Sequence, residues 1–366
     1  QEDLQKKPYA NLLDAVKDIE GVDIGETNDK TNNGTVSIRG MGSDYTLILI
    51  DGKKQNNSGD IYPNSFEGAQ LASIPPLSMI ERIEVIRGPM STLYGSDAMG
   101  GVINIITKKI SKEWTGAIGY AKTFQTDNAY GNNDKTDVSI MGPLIKDKLG
   151  LSLRGSFYDQ AKSNPEYGKV YDLNGVDRSK SNDSFGGGKG NVQNENWTFG
   201  TGLTFTPNEN HTIKADFDVA KQKYDNSQGS VGTLDSRESL LFYSGNGATK
   251  TYSPRVGYTE YQRMEREQYS LAWEANWGLG KSTVGIHHIE SENLGRSLPL
   301  NASERARMET LYGNLGLTKN AKNQWTGAAK GYNDLNAADK AFIDSLLPRP
   351  TRTLESSDTT YSAKYE

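Results

Sequence analysis

The chain has 366 residues and a formal net charge of −5, with 34% hydrophobic residues, 39 glycines, 19 tyrosines and no cysteine. The acidic balance gives no reason to expect a nucleic-acid partner, and without cysteine there can be no disulfide, thiolate metal site or thiol nucleophile. No run approaches the roughly 18 apolar residues that a spanning helix needs, so only strands could cross a membrane.

The first part of the chain predicts a small α/β unit. Its first residues show no apolar signal-peptide core, so export has to be inferred from the rest of the sequence. An amphipathic helix is predicted from Pro8, with apolar side chains at Leu12, Leu13, Ala15, Val16 and Ile19. Four strands are then predicted at 36–39, 45–50, 83–87 and 102–107, with a short helical turn at Pro75 and Pro76.

After residue 112 the apolar period changes to two. In 149–158, for example, Leu149, Leu151 and Leu153 alternate with small or polar residues. This pattern is typical of strands with one face in lipid and the other in a wet lumen. Seven strands are predicted, and an eighth begins near 357: 114–125, 135–144, 149–159, 195–206, 211–224, 266–277 and 281–294.

The connections between these strands alternate in length. Tight turns are predicted at 145–148, 207–210 and 278–281. Long polar loops are predicted at 160–194, 225–264 and 295–356. Outer-membrane barrels have short periplasmic turns and long extracellular loops, so the pattern predicts such a barrel. Because lipid does not tolerate open strand edges, many further strands are expected after residue 366.

Two segments carry a specific resemblance. Residues 80–108, IERIEVIRGPMSTLYGSDAMGGVINIITK, and 37–52, SIRGMGSDYTLILIDG, closely resemble the plug signature of TonB-dependent outer-membrane receptors. The resemblance implies a plug over 1–111 and, over 112–366, the first part of a 22-stranded transmembrane β-barrel that encloses it. It also implies an outer-membrane protein of a Gram-negative bacterium with TonB as energising partner, in contact with membrane lipid and lipopolysaccharide.

The glycines of this signature have two interpretations. Gly88, Gly95, Gly100 and Gly101 allow sharp turns and close backbone approach in a crowded lumen. A phosphate-binding loop is the alternative, but no Lys-Ser or Lys-Thr pair follows the glycines. A second glycine run at 186–190 lies in a predicted surface loop and is a weaker candidate.

Two arginines of the plug carry a predicted role. Arg39 and Arg87 each end a strand at an Arg-Gly step. In the resembled family the matching arginines pair with barrel glutamates, which would lie beyond residue 366, and lock the plug in place. The alternative is an ordinary solvated charge at a strand end.

The segment 261–300 is similar to the third extracellular loop and next strand pair of ferric-enterobactin receptors. A ferric tris-catecholate carries a charge of about −3 and three aromatic faces, which guanidinium and tyrosine side chains can bind. The similarity implies six ligand-binding residues: Arg263, Arg266, Arg296, Tyr252, Tyr258 and Tyr261. The alternative is a solvated loop whose arginines pair with Glu265 and Glu267.

The plug loop 53–66 departs from classical ferric-enterobactin receptors, because it contains no arginine. In this loop the chain is more similar to the colicin I receptor type, which imports smaller linear catecholates. The expected cargo is therefore a ferric catecholate siderophore, either enterobactin or its linear breakdown products. Colicins or other bacteriocins are further possible partners.

Other functions are less well supported. His287 and His288 could suggest haem, but neighbours on a strand point to opposite faces and cannot share one ligand. Receptors for haem, cobalamin or an iron-bearing protein share the plug signature and remain alternatives, whereas a passive porin would not need a plug. No catalytic arrangement or metal-ligand cluster stands out, so we expect neither an enzyme nor a covalently bound cofactor.

Overall fold

The structure is a computed structural model. It describes residues 12–25, 35–41, 45–55, 74–90, 96–163, 171, 175, 193–225, 234–245 and 247–366. The glycine run 186–190, Gly95 and most of the plug loop 53–66 lie outside these residues.

A small α/β unit comes first. Helix α1 (Leu12–Val16) is followed by the antiparallel pair β1 (Val22–Gly25) and β2 (Thr35–Ile38). A second, four-stranded sheet has the order β4-β3-β6-β5 and contains a parallel β3–β6 pair: β3 (Thr46–Ile50), β4 (Lys53–Lys54), β5 (Ile80–Arg87) and β6 (Gly101–Thr107). The four predicted strands are confirmed, and a single 3-10 turn, Leu77–Met79, follows the two prolines.

The core of this unit explains its local structure. Leu12, Leu13 and Val16 of α1 pack with strand residues that include Ile38 and Ile103. Burying several such side chains contributes roughly 1.5–3 kcal/mol each before chain entropy is subtracted. At Gly101, φ is +155° and an added Cβ would lie 2.5 Å from the Ile86 carbonyl oxygen, so the close backbone approach predicted for this glycine is confirmed.

Eight long strands then form one antiparallel sheet. Its order follows the chain from β7 to β11 and then continues through β14, β15 and β18. The first five strands are β7 (Thr115–Thr123), β8 (Asn133–Ile145), β9 (Leu149–Gln160), β10 (Gln193–Asn208) and β11 (His211–Asp225). The predicted strands are confirmed here, with ends that differ by at most two residues. The boundary expected at 111/112 falls between the end of β6 and the start of β7.

The later strands differ more from the prediction because they extend further toward the long connections. In chain order, the connecting elements come between them: α2 (Arg237–Leu240), β12 (Tyr243–Ser244), β13 (Lys250–Tyr252), β14 (Tyr258–Asn276), β15 (Lys281–Ser297), α3 (Ala302–Asn314), β16 (Thr318–Lys319), β17 (Trp325–Gly327), α4 (Ala337–Ser345) and β18 (Thr351–Tyr365). Strand β14 begins eight residues earlier than predicted and β18 six residues earlier.

The expectation that 295–356 is a long polar loop is wrong. Residues 298–350 and 234–257 fold together into a unit that we call the cap. Its sheet has the order β12-β13-β17-β16, so strands from both segments pair. Eleven buried residues form its core, among them Tyr252, Met308, Leu311 and Ile343. The apolar core residues are spread between Leu240 and Leu346, which is why the sequence looks polar locally.

N-capping side chains determine where helices α3 and α4 of the cap begin. The Asn301 side chain accepts a hydrogen bond from the Glu304 backbone N–H at 2.8 Å, and Glu304 accepts one from the Asn301 N–H at 2.9 Å. Asn336 likewise accepts from the Asp339 N–H at 2.8 Å. Such N-capping hydrogen bonds stabilise a helix by about 0.5–2 kcal/mol each. Both helices then bury one side, with Leu311 and Ile343 fully buried.

None of the helices in the described part of the chain is both long and apolar enough to span a membrane.

Candidate functional site

The large sheet has two chemically different faces. On β14, Leu271 and Trp273 are exposed, whereas Met264, Arg266 and Gln268 are buried. The neighbouring strands have the same two faces, because residues that are directly paired on adjacent strands point to the same side of the sheet. The outward face carries exposed apolar side chains, including Phe199, Leu203, Phe205, Ile213, Leu271, Trp273, Val284 and Ile286. The inward face carries polar residues and holds the α/β unit.

The hairpin β3–β4 contacts the inward face directly. Lys53 Nζ lies 3.0 Å from Asp216 Oδ2 and donates to Ser270 Oγ at 2.6 Å. Two inward-facing positions further along β14, toward the long loops, Arg266 Nη2 donates to the backbone oxygen of Gln55 at 2.6 Å. Asp216 and Ser270 face each other on β11 and β14, so these strands hold the hairpin from both layers.

An ion pair on the inward face joins two strands that are not neighbours in the sheet. Arg154 on β9 donates to both carboxylate oxygens of Asp218 on β11, with Nη2 distances of 2.6 and 2.7 Å. Strand β10 lies between them, and it has Gly200 at the crossing point. A Cβ at Gly200 would overlap Asp218 Oδ1 and lie 2.5 Å from Arg154 Nε. The glycine therefore leaves room for the ion pair.

The expectation that Arg263 and Arg266 face one vestibule is wrong in this structure. They are three residues apart on a strand, so they lie on opposite faces. Arg263 is exposed on the outward face, paired with Lys223 and Leu294. Arg266 is 4% exposed and contacts the plug hairpin. Of the two flanking glutamates, Glu265 pairs with Lys221 at 2.7 Å and Glu267 accepts from the Tyr269 hydroxyl at 2.6 Å.

Arg296 lies at the end of the sheet that leads into the long connections, just after a bulge in β15. It pairs with Tyr258 on β14 and with Arg352 on β18. These three residues form one cross-strand row, and Arg296 and Arg352 are directly opposite each other. Neither guanidinium has an ion pair or hydrogen bond within the described ranges. Like charges in this position repel each other.

The other two tyrosines predicted as ligand contacts, Tyr252 and Tyr261, are in contact with protein groups. Tyr252, which the sequence predicts as a ligand contact, is 4% exposed in the cap core. Its hydroxyl donates to the Ala328 oxygen at 2.6 Å and accepts from the Lys330 N–H at 2.7 Å, and burial raises the pKa of Tyr252. That prediction is therefore corrected: Tyr252 is a core residue. The ring of Tyr261 is half-buried and carries Lys223 Nζ at 4.4 Å from its centre.

One cluster attaches the cap to the sheet, and a second holds the two ends of segment 298–350 together. The Asp235 carboxylate accepts from the Gly257 N–H at 3.0 Å and also from the Ser297 hydroxyl. The side chain of Arg349 is only 2% exposed and pairs with Glu304 at 3.0 Å. It also donates to the Leu298 oxygen at 2.9 Å. The hydrogen bonds from Arg349 lower the pKa of Glu304, so this pair stays charged at neutral pH.

Arg39 and Arg87 come together at the other end of the plug. A Cβ at Gly21 would meet Arg87 Cδ at 3.6 Å and Arg39 Cγ at 3.9 Å, so both side chains flank this glycine. Arg87 Nη1 donates to the Glu20 backbone oxygen at 2.9 Å. Arg39 is exposed, with φ at +55°. None of the barrel carboxylates in the described strands pairs with either arginine.

The two histidines lie on opposite faces, as expected. His287 is buried on the inward face, with Nε2 at 3.2 Å from Gln268 Oε1. His288 lies on the outward face and contacts Thr359 and Glu290 at 2.7 and 3.0 Å. They cannot act together on one ligand.

Comparisons with known proteins agree with this geometry. Residues 1–102 match the family TonB-dependent Receptor Plug Domain. The chain is 34% identical over 302 residues to the iron-regulated outer membrane virulence protein of Vibrio cholerae, covering 82% of the chain and 40% of that protein. It is 31% identical over 300 residues to the probable TonB-dependent siderophore receptor PirA of Acinetobacter baumannii, covering 80% and 37%.

Solved structures show the same fold. The siderophore receptor PirA from Acinetobacter baumannii aligns with a TM-score of 0.60 at 29% identity, covering 82% of this chain and 40% of that chain. The ferric enterobactin receptor PfeA from Pseudomonas aeruginosa aligns with a TM-score of 0.57 at 24% identity, covering 80% and 40%. At 24% identity, the similarity to PfeA shows a shared fold alone.

A small α/β domain held against the polar inner wall of a lipid-facing strand sheet defines a plugged outer-membrane β-barrel protein. The chain carries a TonB-dependent receptor plug domain over residues 1–102, and about 80% of its length is similar to TonB-dependent and iron-regulated outer-membrane receptors of Gram-negative bacteria. It spans about 40% of the length of the curated relatives that it matches.

Sequence reasoning missed the residues that join the plug to the wall. Strand alternation in the sequence places Asp216 and Asp218 opposite the apolar face of their strand, and Gly200 and Gly202 opposite the apolar face of theirs. The available signal was two glycines on one strand beside two aspartates on the next. Nothing in the sequence indicates that Arg154, Lys53 and Arg266 would be their partners or neighbours, because those contacts are long-range.

Proposed function

We propose that the complete receptor to which this chain contributes imports ferric catecholate siderophores, either enterobactin or its linear breakdown products. The observation that carries the proposal is the row Tyr258–Arg296–Arg352 at the extracellular end of the sheet. Relatives named as siderophore or ferric enterobactin receptors support it.

The chemistry of the row suits this cargo. Two arginines directly opposite each other destabilise the empty wall, and a ferric tris-catecholate of charge about −3 would offset that repulsion. The neighbouring Tyr258 ring can stack on a catechol. Arg266 and Tyr252 leave the proposed contact set because both are buried, and Arg263 leaves it because it faces outward.

Binding measurements on the complete receptor test the row. Replacing Arg296 or Arg352 by Ala removes a charged hydrogen-bond donor, which should raise the Kd for ferric enterobactin by about tenfold to a hundredfold. Arg263→Ala is the matched control, since it removes the same charge from the opposite face, and its Kd should stay unchanged. Equal losses in all three variants would mean that the row does not recognise the ligand.

Growth of a deletion strain separates the possible cargoes. Under iron starvation, the strain should lose growth on ferric enterobactin, on linear dihydroxybenzoylserine complexes, or on both. Haem and cobalamin are supplied in separate cultures. Normal growth on both catecholates, with loss on haem or cobalamin, would replace the siderophore proposal. Resistance of the same strain to a colicin would identify the receptor as its entry point.

We further propose that TonB energises the import and that Arg39 and Arg87 lock the plug. The plug match over 1–102 supports TonB as partner. The position of both arginines beside Gly21 supports the lock. Replacing both by Ala should increase leakage of small solutes through the complete receptor, and unchanged leakage would count against the lock.

A further inference from the structure

Strand β15 has one extra residue at the end where Arg296 lies. Asn293 pairs with Leu354 of β18, and the next directly opposite pair is Arg296 with Arg352. Three steps along β15 therefore match two steps along β18, which is the pattern of a β-bulge. The φ of +102° at Gly295 locates the bulge at this glycine.

The bulge decides which face of the sheet Arg296 is on. Side chains alternate along a strand, and Asn293 is fully buried on the inward face while Leu294 points outward with its partner on β14. In a regular strand, Arg296 would be two positions beyond Leu294 and would point outward as well. With the extra residue it lies opposite Arg352, which is inward because it is two positions from Leu354.

Position 295 accepts no side chain in this conformation. A φ of +102° lies in a region that favours glycine. An added Cβ would overlap the Tyr261 backbone oxygen and would lie 3.1 Å from Gln262 Cα. Both obstacles are backbone atoms, which cannot rotate away as the end of a side chain can. Alanine at position 295 is therefore incompatible with the bulge.

Side chains of β14 hold the bulge in place. The Thr259 hydroxyl donates to the Gly295 oxygen at 2.9 Å, and Gln262 Nε2 donates to the Leu294 oxygen at 2.8 Å. Gln262 is fully buried. Two successive carbonyl groups of the bulge thus have side-chain donors, which satisfies backbone groups where the strand departs from regular pairing.

We infer that Gly295 is a positioning residue for the siderophore site: its bulge turns Arg296 from the outward face to the inward face, beside Arg352 and Tyr258. The inference rests on the proposed function, because this row is the group of side chains proposed to bind the ferric catecholate. Gly295 acts through Arg296 and needs no contact with the cargo.

Cysteine crosslinking in the complete receptor measures the direction of side chain 296 without any cargo. This chain has no cysteine of its own, and directly opposite residues on adjacent strands are close enough for a disulfide. Arg296→Cys and Arg352→Cys should therefore crosslink on mild oxidation. Adding Gly295→Ala should lower the yield by at least about tenfold, because position 296 then points outward. An undiminished yield would overturn the inference.

A matched pair on the same two strands controls for loss of strand pairing. Glu292 and Glu355 are directly opposite each other before the bulge, on the outward face. Glu292→Cys and Glu355→Cys should crosslink equally with and without Gly295→Ala. Loss of both crosslinks in the Gly295→Ala background would overturn the inference, because the glycine would then be needed for pairing and not for direction.

Deletion of Gly295 is a second control that introduces no side chain. It removes the extra residue, so regular alternation from Leu294 again places Arg296 inward and opposite Arg352. The crosslink between positions 296 and 352 should therefore form in the deletion variant as it does in wild type. Its absence there would overturn the inference.

Ligand binding connects the bulge to the proposed function. Gly295→Ala should raise the Kd for ferric enterobactin by about tenfold to a hundredfold, as expected for Arg296→Ala, whereas deletion of Gly295 should leave it near the wild-type value. Combining Gly295→Ala with Arg296→Ala should cause no further loss, and an additional loss would overturn the inference. A wild-type Kd in Gly295→Ala, together with the lost crosslink, would refute the row as the siderophore site and leave the direction of Arg296 explained.

Discussion

The barrel wall has no room for a side chain at position 200. An added methyl group would overlap Asp218 Oδ1 and lie 2.5 Å from Arg154 Nε, so Gly200→Ala must push the two side chains apart. Backbone atoms need not move, since the atoms in the way are the ends of side chains. The cost is therefore the loss of the Arg154–Asp218 ion pair rather than a distortion of the sheet.

The magnitude follows from the geometry of the pair. Arg154 makes three short contacts to Asp218, at 2.6, 2.7 and 3.0 Å, with side chains 12% and 34% exposed. Charged hydrogen bonds contribute about 1.5–3 kcal/mol, and the partial exposure of Asp218 places this pair at the lower end. Alanine is favoured over glycine inside a strand by about 0.5–1 kcal/mol, so the net destabilisation should be about 0.5–1 kcal/mol.

Hydrogen exchange of β9–β11 in the complete receptor measures this loss locally, and denaturant unfolding measures it globally. The control is Gly119→Ala on the same face, where the nearest heavy atom, Asp137 Cβ, is 4.0 Å away. In an Arg154→Ser background, Gly200→Ala should be neutral or stabilising because no pair is left to break. A loss of the same size in that background would refute the explanation.

Three further predictions concern the cap. Leu311→Ala should destabilise the cap by about 2–5 kcal/mol, because Leu311 is fully buried, and faster proteolysis of 298–350 with unchanged exchange in β14 would show it. Asp235→Ala should loosen the cap base by removing the acceptor of Gly257 and Ser297; an unchanged exchange rate at the Gly257 amide would contradict this. The third prediction is a loss of cap stability in acid. Burial alone would raise the pKa of Asp339, but hydrogen bonds from Asn314 and Arg307 lower it below its usual range. Its stabilising contribution is therefore complete above about pH 4 and is lost as the pH falls through the lowered pKa, so cap exchange should accelerate below about pH 4 while Asp339→Asn shows a weaker pH dependence.

The sequence by itself determined the alternation of faces along the barrel strands. Successive side chains on a strand point to opposite sides, so Leu271 and Trp273 could be placed outward and Asp216 and Asp218 inward without a structure. The positions of the short turns followed from the same pattern. The same alternation places Arg263 and Arg266 on opposite faces, because they are three positions apart on one strand.

The tertiary structure decided which inward residues act together. Arg266 meets Gln55 across 211 positions, and Lys53 meets Asp216 across 163. The cap core likewise combines apolar residues from two segments that each look polar, and Arg296 meets Arg352 only because β18 begins at Thr351. A strand's alternation depends on the local pleat, whereas these contacts depend on register and on how distant segments fold together, which local sequence does not encode.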